Sequence, residues 1–186
     1  MANFIQRTTK KLEHLAAKNS MAYRMFSLYY KRVVRKEAKL ANINVNDRVL
    51  CVGGGPCPFS GILLHEYTKA HVTIIDNDMS CVEVSRQLIH KLGYEESITV
   101  LHSDGNAISP EDYTVVHMAV QVSPLEQVFN NLNQKCRNGS KILVRLPKTH
   151  LASCYGVNSM NVFNACQGKA NHILRNISST ALFVVY

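Results

Sequence analysis

The sequence lacks any apolar run that approaches the roughly 20 residues needed to cross a membrane. Cations near the start, Arg7, Lys10 and Lys11, are not followed by an apolar segment, so we expect no secretory signal peptide. Internal repeats and low-complexity tracts are also missing. The chain has 186 residues, of which 46% are apolar and 18% are charged, which is typical of one globular domain with a full hydrophobic core. We therefore expect a globular protein without a membrane-spanning part.

Metal-binding spacing is missing as well. None of the six cysteines forms a CxxC pair with another, which argues against zinc and iron–sulfur sites, and we predict no metal site. Several of these cysteines lie in apolar or helical patterns, where a buried free thiol is the ordinary interpretation. Free thiols fit a reducing compartment, so the sequence predicts a cytoplasmic protein.

Acidic residues are scarce in the first quarter of the chain. Residues 1–48 hold eleven lysines and arginines but only three acids, which gives this segment the whole net charge of +8. We favour the solvated face of amphipathic helices as the explanation, because Arg24, Lys31, Arg35 and Lys39 share one helical face. Attraction of an anionic substrate is the second interpretation, and nucleic-acid binding is a third that we do not favour.

The hydrophobic pattern predicts an α/β fold. Residues 3–18 and 21–41 read as two helices, with Ser20 as a candidate N-cap of the second. From Arg48 onwards, short apolar runs alternate with helical segments. The runs are 48–52, 71–75, 97–101, 114–120 and 141–146, and the helical segments are 60–69, 79–92 and 124–136. This alternation predicts a Rossmann-like, mostly parallel sheet with helices on both faces.

The alternation weakens after Lys148. We expect a short helix over 159–167 and a hairpin of residues 170–175 and 180–186 that closes the sheet antiparallel, with Ser178 and Ser179 near its turn. The predicted organisation is a basic helical segment over 1–44, either part of the same domain or a small cap, followed by an α/β domain over 45–186.

A glycine cluster after the first predicted strand marks a nucleotide site. Gly53, Gly54, Gly55 and Pro56 follow that strand and precede a helix, so backbone N–H groups and a helix N-terminus face a bound group there. The third glycine of a dinucleotide fingerprint is missing, because Pro58 stands in its place. Each proline also removes an N–H donor, which disfavours a pyrophosphate. S-adenosylmethionine has no phosphate and fits such a loop better.

Carboxylates follow the next two predicted strands. Asp76, with its neighbour Asn77, ends the second strand, where a carboxylate can accept hydrogen bonds from ribose hydroxyls. The third strand runs into Asp104, Gly105 and Asn106, which are candidates for binding adenine. The alternative for Asp104 is an Asx turn.

Two further residues complete this predicted edge of the sheet. The fourth strand ends near Ala119, a candidate for binding the cofactor, and Gln121, a candidate for binding the substrate, where the reactive centre of a cofactor meets its substrate. Asp78, two residues after the second strand, is expected to cap the following helix rather than to bind a ligand.

Four stretches carry a family resemblance. They are 52–64 with its Gly-x-Gly-Pro-x-Pro form, 74–78, 115–120 and 139–145, followed by Tyr155. On these residues the chain resembles the class I S-adenosylmethionine-dependent methyltransferases and, more narrowly, the nicotianamine synthase family, over about residues 30–186. The resemblance implies transfer of the 3-amino-3-carboxypropyl group of S-adenosylmethionine to an amine of a small-molecule acceptor.

The resemblance also implies residue roles outside the glycine loop. A tyrosine hydroxyl from the helix before that loop would contact the attacking amine, with Tyr30, Tyr29 and Tyr23 as candidates. Arg145 and Tyr155 would hold a substrate carboxylate. The alternative for each tyrosine is ordinary core packing.

The chain departs from the family pattern in its acids. No motif places a catalytic acid, for which Glu13 and Glu37 are the N-terminal candidates, and Cys51 stands where ordinary methyltransferases carry an acid. Two other interpretations therefore stay open. In the first of these, the chain is a methyltransferase that acts on a small molecule or on nucleic acid. In the second, it is a non-catalytic module that binds the cofactor. A homodimer is compatible with the sequence.

Overall fold

The computed structural model describes residues 12–17, 19–155, 157, 160–173 and 176–186. The helix predicted over 3–18 lies largely outside these residues, although 12–17 are helical.

Seven strands form one sheet in the described part of the chain. They are β1 (Arg48–Val52), β2 (His71–Asp76), β3 (Ile98–His102), β4 (Val115–Met118), β5 (Lys141–Pro147), β6 (Gly168–Asn171) and β7 (Ile177–Val184). The strand order is β3-β2-β1-β4-β5-β7-β6. The first five strands are parallel, and β7 pairs antiparallel with both β5 and β6. The predicted parallel sheet with an antiparallel C-terminal hairpin is confirmed.

Helices cover both faces of this sheet. The α-helices are α1 (Ser20–Leu40), α2 (Phe59–Thr68), α3 (Met79–Leu92) and α4 (Leu125–Lys135), and 3₁₀ helices span Thr149–Tyr155 and Met160–Phe163. Alternating strand residues divide the core into two layers. Val49 and Cys51 of β1 pack with α1, α2 and α3, whereas Leu50 and Val52 face the layer that contains α4 and the 3₁₀ helices.

The first helix packs directly on the sheet layer with its apolar stripe. Val34 and Ala38 are buried in the same cluster as β1, whereas the four cations assigned to one helical face, Arg24, Lys31, Arg35 and Lys39, are exposed. These four positive charges of α1 are therefore solvated, as the amphipathic pattern predicts.

Three local predictions need correction. The N-cap of α1 is Asn19 and not Ser20, because the Asn19 side chain accepts hydrogen bonds from the backbone N–H groups of Met21 and Ala22. The strand β7 begins at Ile177, so Ser178 and Ser179 belong to β7 and not to the hairpin turn. Where the structure describes the helix expected over 159–167, from Met160 onwards, it shows a short 3₁₀ helix over Met160–Phe163.

In the described ranges, every helix is either too short or too polar to cross a membrane.

The cap of α1 leads to a stability prediction. We expect Asn19→Ala to lower the free energy of unfolding by about 1 kcal/mol, because two backbone N–H groups at the start of α1 lose their acceptor. Urea unfolding followed by circular dichroism measures the change. Asn19→Asp retains the acceptor and is the matched control, which we expect to match the unsubstituted protein. Equal losses for both variants would contradict the capping role.

Candidate functional site

A cavity opens where the sheet changes its direction of growth. The parallel neighbours of β1 are β2 and β4, so the chain runs outwards in opposite directions from the β1–β4 pair. In open α/β sheets this switch point forms a crevice at the carboxyl ends of the strands. The cavity here has a volume of about 400 Å³ and is lined by residues that follow β1, β2, β3 and β4, together with residues of the N-terminal helical part.

The glycine loop forms the floor of the cavity next to β1. Gly53 and Gly55 have φ angles of +80° and +65°, a left-handed conformation that strongly favours glycine. The N–H groups of Gly53 and Gly54 both donate to the Ile75 carbonyl, at 3.0 and 3.1 Å. A side chain at Gly54 would collide with Ile74 of β2. The loop therefore lies flat against β2 and presents bare backbone to the cavity.

Asp76 joins this loop to the next one. One of its carboxylate oxygens accepts from the Gly55 N–H at 2.7 Å, and the other accepts from the Asp78 N–H at 3.0 Å. Each carboxylate oxygen can accept a second hydrogen bond, so Asp76 still has capacity for a ligand in the cavity. Asp78 caps α3 through the Ser80 N–H, as the sequence predicts, and it lines the cavity as well.

The turn after β3 lines the same cavity as the glycine loop. Asp104 accepts from the Asn106 N–H at 2.7 Å, which is the Asx turn considered as its alternative role. Asp104 and Gly105 line the cavity. A Cβ at Gly105 would lie 2.9 Å from side-chain atoms of both Val52 and Val128, so only glycine keeps this turn close to β1 and α4.

The cavity brings together most of the residues selected from the sequence. The described residues that line it include Tyr30, Gly53, Gly54, Gly55, Pro56, Asp76, Asn77, Asp104, Gly105, Ala119, Gln121 and Arg145. Four other selected residues are not among the described lining residues, and these are Tyr23, Tyr29, Asn106 and Tyr155. The sequence pattern therefore locates the loops of the site more securely than it selects among the tyrosines.

The tyrosines of α1 have distinct surroundings. Tyr30 lines the cavity and stacks on Phe59 with a centroid distance of 5.5 Å. Tyr29 is 44% exposed and contacts the Tyr30 ring edge-on. Tyr23 also stacks on Phe59, with a centroid distance of 5.4 Å. Burial raises the pKa of Tyr23 above its usual range, so its hydroxyl stays protonated.

Glu13 reaches the cavity from the helical segment 12–17. A Cβ at Gly55 would lie only 2.6 Å from Glu13 Oε2, which places this carboxylate directly above the glycine loop. Burial raises the pKa of Tyr30, and the negative charge of Glu13 raises it further, whereas Arg145 opposes both. Glu13 and Tyr30 therefore interact electrostatically at the same wall. The sequence alone offers Glu13 as a candidate acid but gives it no position, because no motif links it to Gly55, 42 residues further along the chain.

Arg145 and Glu37 form a buried ion pair behind this wall. Arg145 donates from Nε and Nη2 to the two carboxylate oxygens of Glu37, both at 2.7 Å, and from Nη1 to Ser60 Oγ at 2.7 Å. Burial alone would raise the pKa of Glu37, but Arg145 and then His117 outweigh it and hold this pKa far below its usual range. Three nitrogens of the guanidinium predicted to bind substrate therefore already donate to the protein.

Further polar side chains complete the surroundings of Glu37. Thr180 donates to Glu37 Oε1 at 2.6 Å, and His117 Nε2 lies 3.3 Å from Glu37 Oε2. His172 Nε2 lies 2.8 Å from Thr180 Oγ1 and donates to it, because the Thr180 hydroxyl hydrogen is used by Glu37. Burial lowers the pKa of His117, and Arg145 lowers it further although Glu37 acts in the opposite direction.

Negative charge dominates the described lining. Four carboxylates, Glu13, Asp76, Asp78 and Asp104, face one arginine whose charge is balanced by Glu37. Such a cavity attracts a cationic ligand and provides acceptors for a proton. Within the described ranges, no group of three or more histidine, cysteine or acidic side chains is arranged to hold a metal ion.

Comparison with known proteins identifies sequence relatives only at a distance. No model of a known protein family matches the chain. L-histidine 2-aminobutanoyltransferase of Yersinia pestis is 25% identical over 134 aligned residues, which cover 67% of this chain and 51% of that enzyme. The chain therefore spans about half the length of this curated relative.

Solved structures give a closer match in fold. A crystal structure of MtNAS, a nicotianamine synthase, in complex with MTA and tNA has a TM-score of 0.81 at 24% identity and covers 99% of this chain and 74% of MtNAS. A variant of MtNAS in complex with S-adenosylmethionine has a TM-score of 0.80 at 23% identity, and the match covers 100% of this chain and 77% of that variant.

The fold is also similar to that of a methyltransferase. An RNA methyltransferase from Salinibacter ruber in complex with S-adenosyl-L-homocysteine has a TM-score of 0.67 at 14% identity and covers 83% of this chain and 90% of that protein. The chain thus has the Rossmann-like class I fold that nicotianamine synthases and S-adenosylmethionine-dependent methyltransferases share, which confirms the fold implied by the sequence resemblance.

Proposed function

We propose that this chain is an S-adenosylmethionine-dependent transferase that moves the 3-amino-3-carboxypropyl group to an amine of a small-molecule acceptor. The observation that carries the proposal is the placement of Glu13 and Tyr30 directly beside the glycine loop, in a cavity at the switch point of the sheet. The fold match to MtNAS and the distant similarity to L-histidine 2-aminobutanoyltransferase support the same class of reaction.

The described residues fit the proposed cofactor. Bare backbone at Gly53, Gly54 and Gly55 leaves room for a nucleoside, and the Pro56 and Pro58 positions offer no N–H donor to a pyrophosphate. Asp76 would accept hydrogen bonds from the ribose hydroxyls, and Asp104 with Gly105 would bind the adenine. When bound, S-adenosylmethionine supplies a sulfonium that activates its attached carbons towards a nucleophile. The acidic lining complements that positive charge.

Glu13 and Tyr30 provide the acid–base chemistry at the cavity wall beside the glycine loop. An amine attacks only in its neutral form, so a proton must be accepted near the acceptor nitrogen. We assign this role to the Glu13 carboxylate, and the Tyr30 hydroxyl orients the amine by hydrogen bonding. Because burial and Glu13 both raise the pKa of Tyr30, its hydroxyl is protonated at neutral pH. Its oxygen accepts a hydrogen bond from an N–H of the amine, which leaves the nitrogen lone pair free to attack.

Methyl transfer is the second candidate function, because the Salinibacter ruber RNA methyltransferase shares most of its length with this fold. The exposed cations of α1 are the residues that nucleic acid would contact in that case. The third possibility is a module that binds the cofactor without catalysing transfer.

The six cysteines bear on the compartment. All six are free thiols, and burial raises the pKa of Cys51 to about 12, which keeps that thiol protonated. A set of free cysteines fits a reducing environment, so we propose a cytoplasmic location.

The by-product of the reaction distinguishes the candidate functions. We expect incubation with S-adenosylmethionine and candidate amines, among them histidine, to release methylthioadenosine, measured by liquid chromatography and mass spectrometry. S-adenosylhomocysteine as the by-product would instead establish methyl transfer. Cofactor binding by calorimetry without either by-product would favour the non-catalytic module.

Asp76 provides a test of cofactor binding. We expect Asp76→Ala to weaken S-adenosylmethionine binding by about 10-fold or more, because the ribose loses a charged acceptor and the Gly55 N–H loses its partner. Isothermal titration calorimetry measures the dissociation constant. Asp112→Ala removes an exposed acid that does not line the cavity and is expected to bind normally. An unchanged dissociation constant for Asp76→Ala would refute the role.

The proton-transfer role has a matched pair of tyrosine variants. We expect Glu13→Gln and Tyr30→Phe each to lower kcat by about 100-fold, in the range that a general acid–base group contributes. Tyr29→Phe makes the same chemical change at a neighbouring hydroxyl outside the cavity lining and is expected to leave kcat within about twofold. If Tyr29→Phe were as damaging as Tyr30→Phe, the assignment of Tyr30 would be wrong.

A further inference from the structure

Glu37 lies behind the wall of the cavity but is connected to it. Its side chain is fully buried at 0% exposure, and Arg145 at 3% exposure is the residue that joins it to the cavity lining. The groups around Glu37 come from four strands or loops, namely His117 of β4, Arg145 of β5, His172 after β6 and Thr180 of β7. A single carboxylate thus ties α1 to three strands beneath the site.

The same helix carries Glu37 and Tyr30. They are seven residues apart, about two helical turns, so both project from the same side of α1. The Arg145 guanidinium spans the space between them, since it donates twice to Glu37 while its carbon lies 5.7 Å from the centroid of the Tyr30 ring. A cation at this distance from an aromatic face is attracted to it.

Tyr30 is held on its other sides by rings of the same layer. Phe59 stacks on it with an interplanar angle of 15°, and Tyr29 contacts it edge-on. Arg145 also donates to Ser60, the residue next to Phe59, so the guanidinium fixes both the ring and the turn that supports its stacking partner. The bidentate contact with Glu37 is what sets the orientation of the guanidinium plane.

Stability alone gives a weak reason for this cluster. Burying two charges costs desolvation, and well-packed apolar residues of similar volume often stabilise a protein at least as well. A forked donor that must point in one direction, by contrast, needs a carboxylate partner in a fixed place. The cluster is therefore better explained by the position it imposes on Tyr30 than by its contribution to folding.

We propose that Glu37, acting through Arg145, is a positioning residue that holds the Tyr30 hydroxyl at the cavity wall, and that Arg145 does not bind the carboxylate of the acceptor. The proposal rests on the function proposed above for Tyr30. It separates two roles for Arg145 by kinetics, because a misplaced Tyr30 lowers kcat, whereas a lost carboxylate contact raises KM for the acceptor.

The main test removes both charges together. In Glu37→Gln/Arg145→Met no buried charge is left without its partner, so we expect the double variant to fold with a thermal midpoint near that of the unsubstituted protein. We expect kcat to fall by roughly 10- to 100-fold, with KM for the acceptor and the cofactor dissociation constant within about twofold. Asp47→Asn is the control, because it alters a buried carboxylate bonded to Thr114 at the opposite end of β1.

The control separates destabilisation from positioning. We expect Asp47→Asn to lower the thermal midpoint without lowering kcat. An unchanged kcat in the folded double variant would overturn the proposal. A rise in KM for the acceptor of about tenfold or more, with kcat unchanged, would assign Arg145 to carboxylate binding instead.

If the double variant fails to fold, a second variant and a spectroscopic measurement still test the proposal. Arg145→Lys keeps the positive charge beside Glu37 but loses the fork, and we expect the same fall in kcat with KM unchanged. In protein labelled with ¹³C-tyrosine, we expect the ring signal of Tyr30, assigned with Tyr30→Phe, to move in Arg145→Lys. Tyr113 is the control, because its ring centroid lies 5.9 Å from the guanidinium carbon of a different arginine, Arg48. We expect its signal to stay in place.

The spectroscopic result does not depend on transfer activity. An unmoved Tyr30 signal in folded Arg145→Lys would overturn the positioning role even if the proposed reaction were correct. If the unsubstituted protein released neither by-product, the proposed function would fail, while the ring signal would still decide whether Arg145 positions Tyr30.

Discussion

The bidentate contact between Glu37 and Arg145 is the interaction on which the arrangement of the site depends. It ties α1 to β5 in the interior, and through His117 and Thr180 it includes β4 and β7. Because α1 carries Tyr30 to the cavity wall and β5 carries Arg145 beneath it, this contact joins the helical part to the sheet next to the site. Breaking either charge alone would leave its partner buried and uncompensated, which is strongly destabilising.

The site divides between two kinds of structural element. One half consists of the loops after β1, β2 and β3, where bare backbone and carboxylates face the cavity. The other half is the wall formed by Glu13 and Tyr30, which comes from helices that precede the sheet. The first half suits a nucleoside with a cationic centre, and the second suits the handling of a proton. The two halves meet above Gly55, which is the arrangement that the proposed transfer to an amine requires.

The sequence predicted one half of this site better than the other. The strand–loop–helix pattern placed the glycine loop, Asp76 and Asp104 at one edge, because the carboxyl ends of parallel strands share that edge by topology. It also correctly made Asp78 a helix cap. The selection among three tyrosines and the role of Glu13 had no comparable basis, since they depend on how α1 and the segment before it pack across the sheet. The predicted position of the hairpin turn was wrong because serine is common in turns, whereas pairing of Ser179 with β5 and β6 places the Ser-Ser pair in β7.

By itself, the sequence determined the class of fold, the order of strands and helices, and the chemistry of the loop edge. These follow from hydrophobic periodicity and from residues whose backbone preferences are local, such as Gly53 and Gly55. Only the tertiary structure decided that Tyr30 and not Tyr29 faces the cavity, that Glu13 lies over the glycine loop, and that Arg145 is committed to Glu37. The physical reason is that these contacts join residues far apart in the chain, and long-range packing leaves no local signal in the sequence.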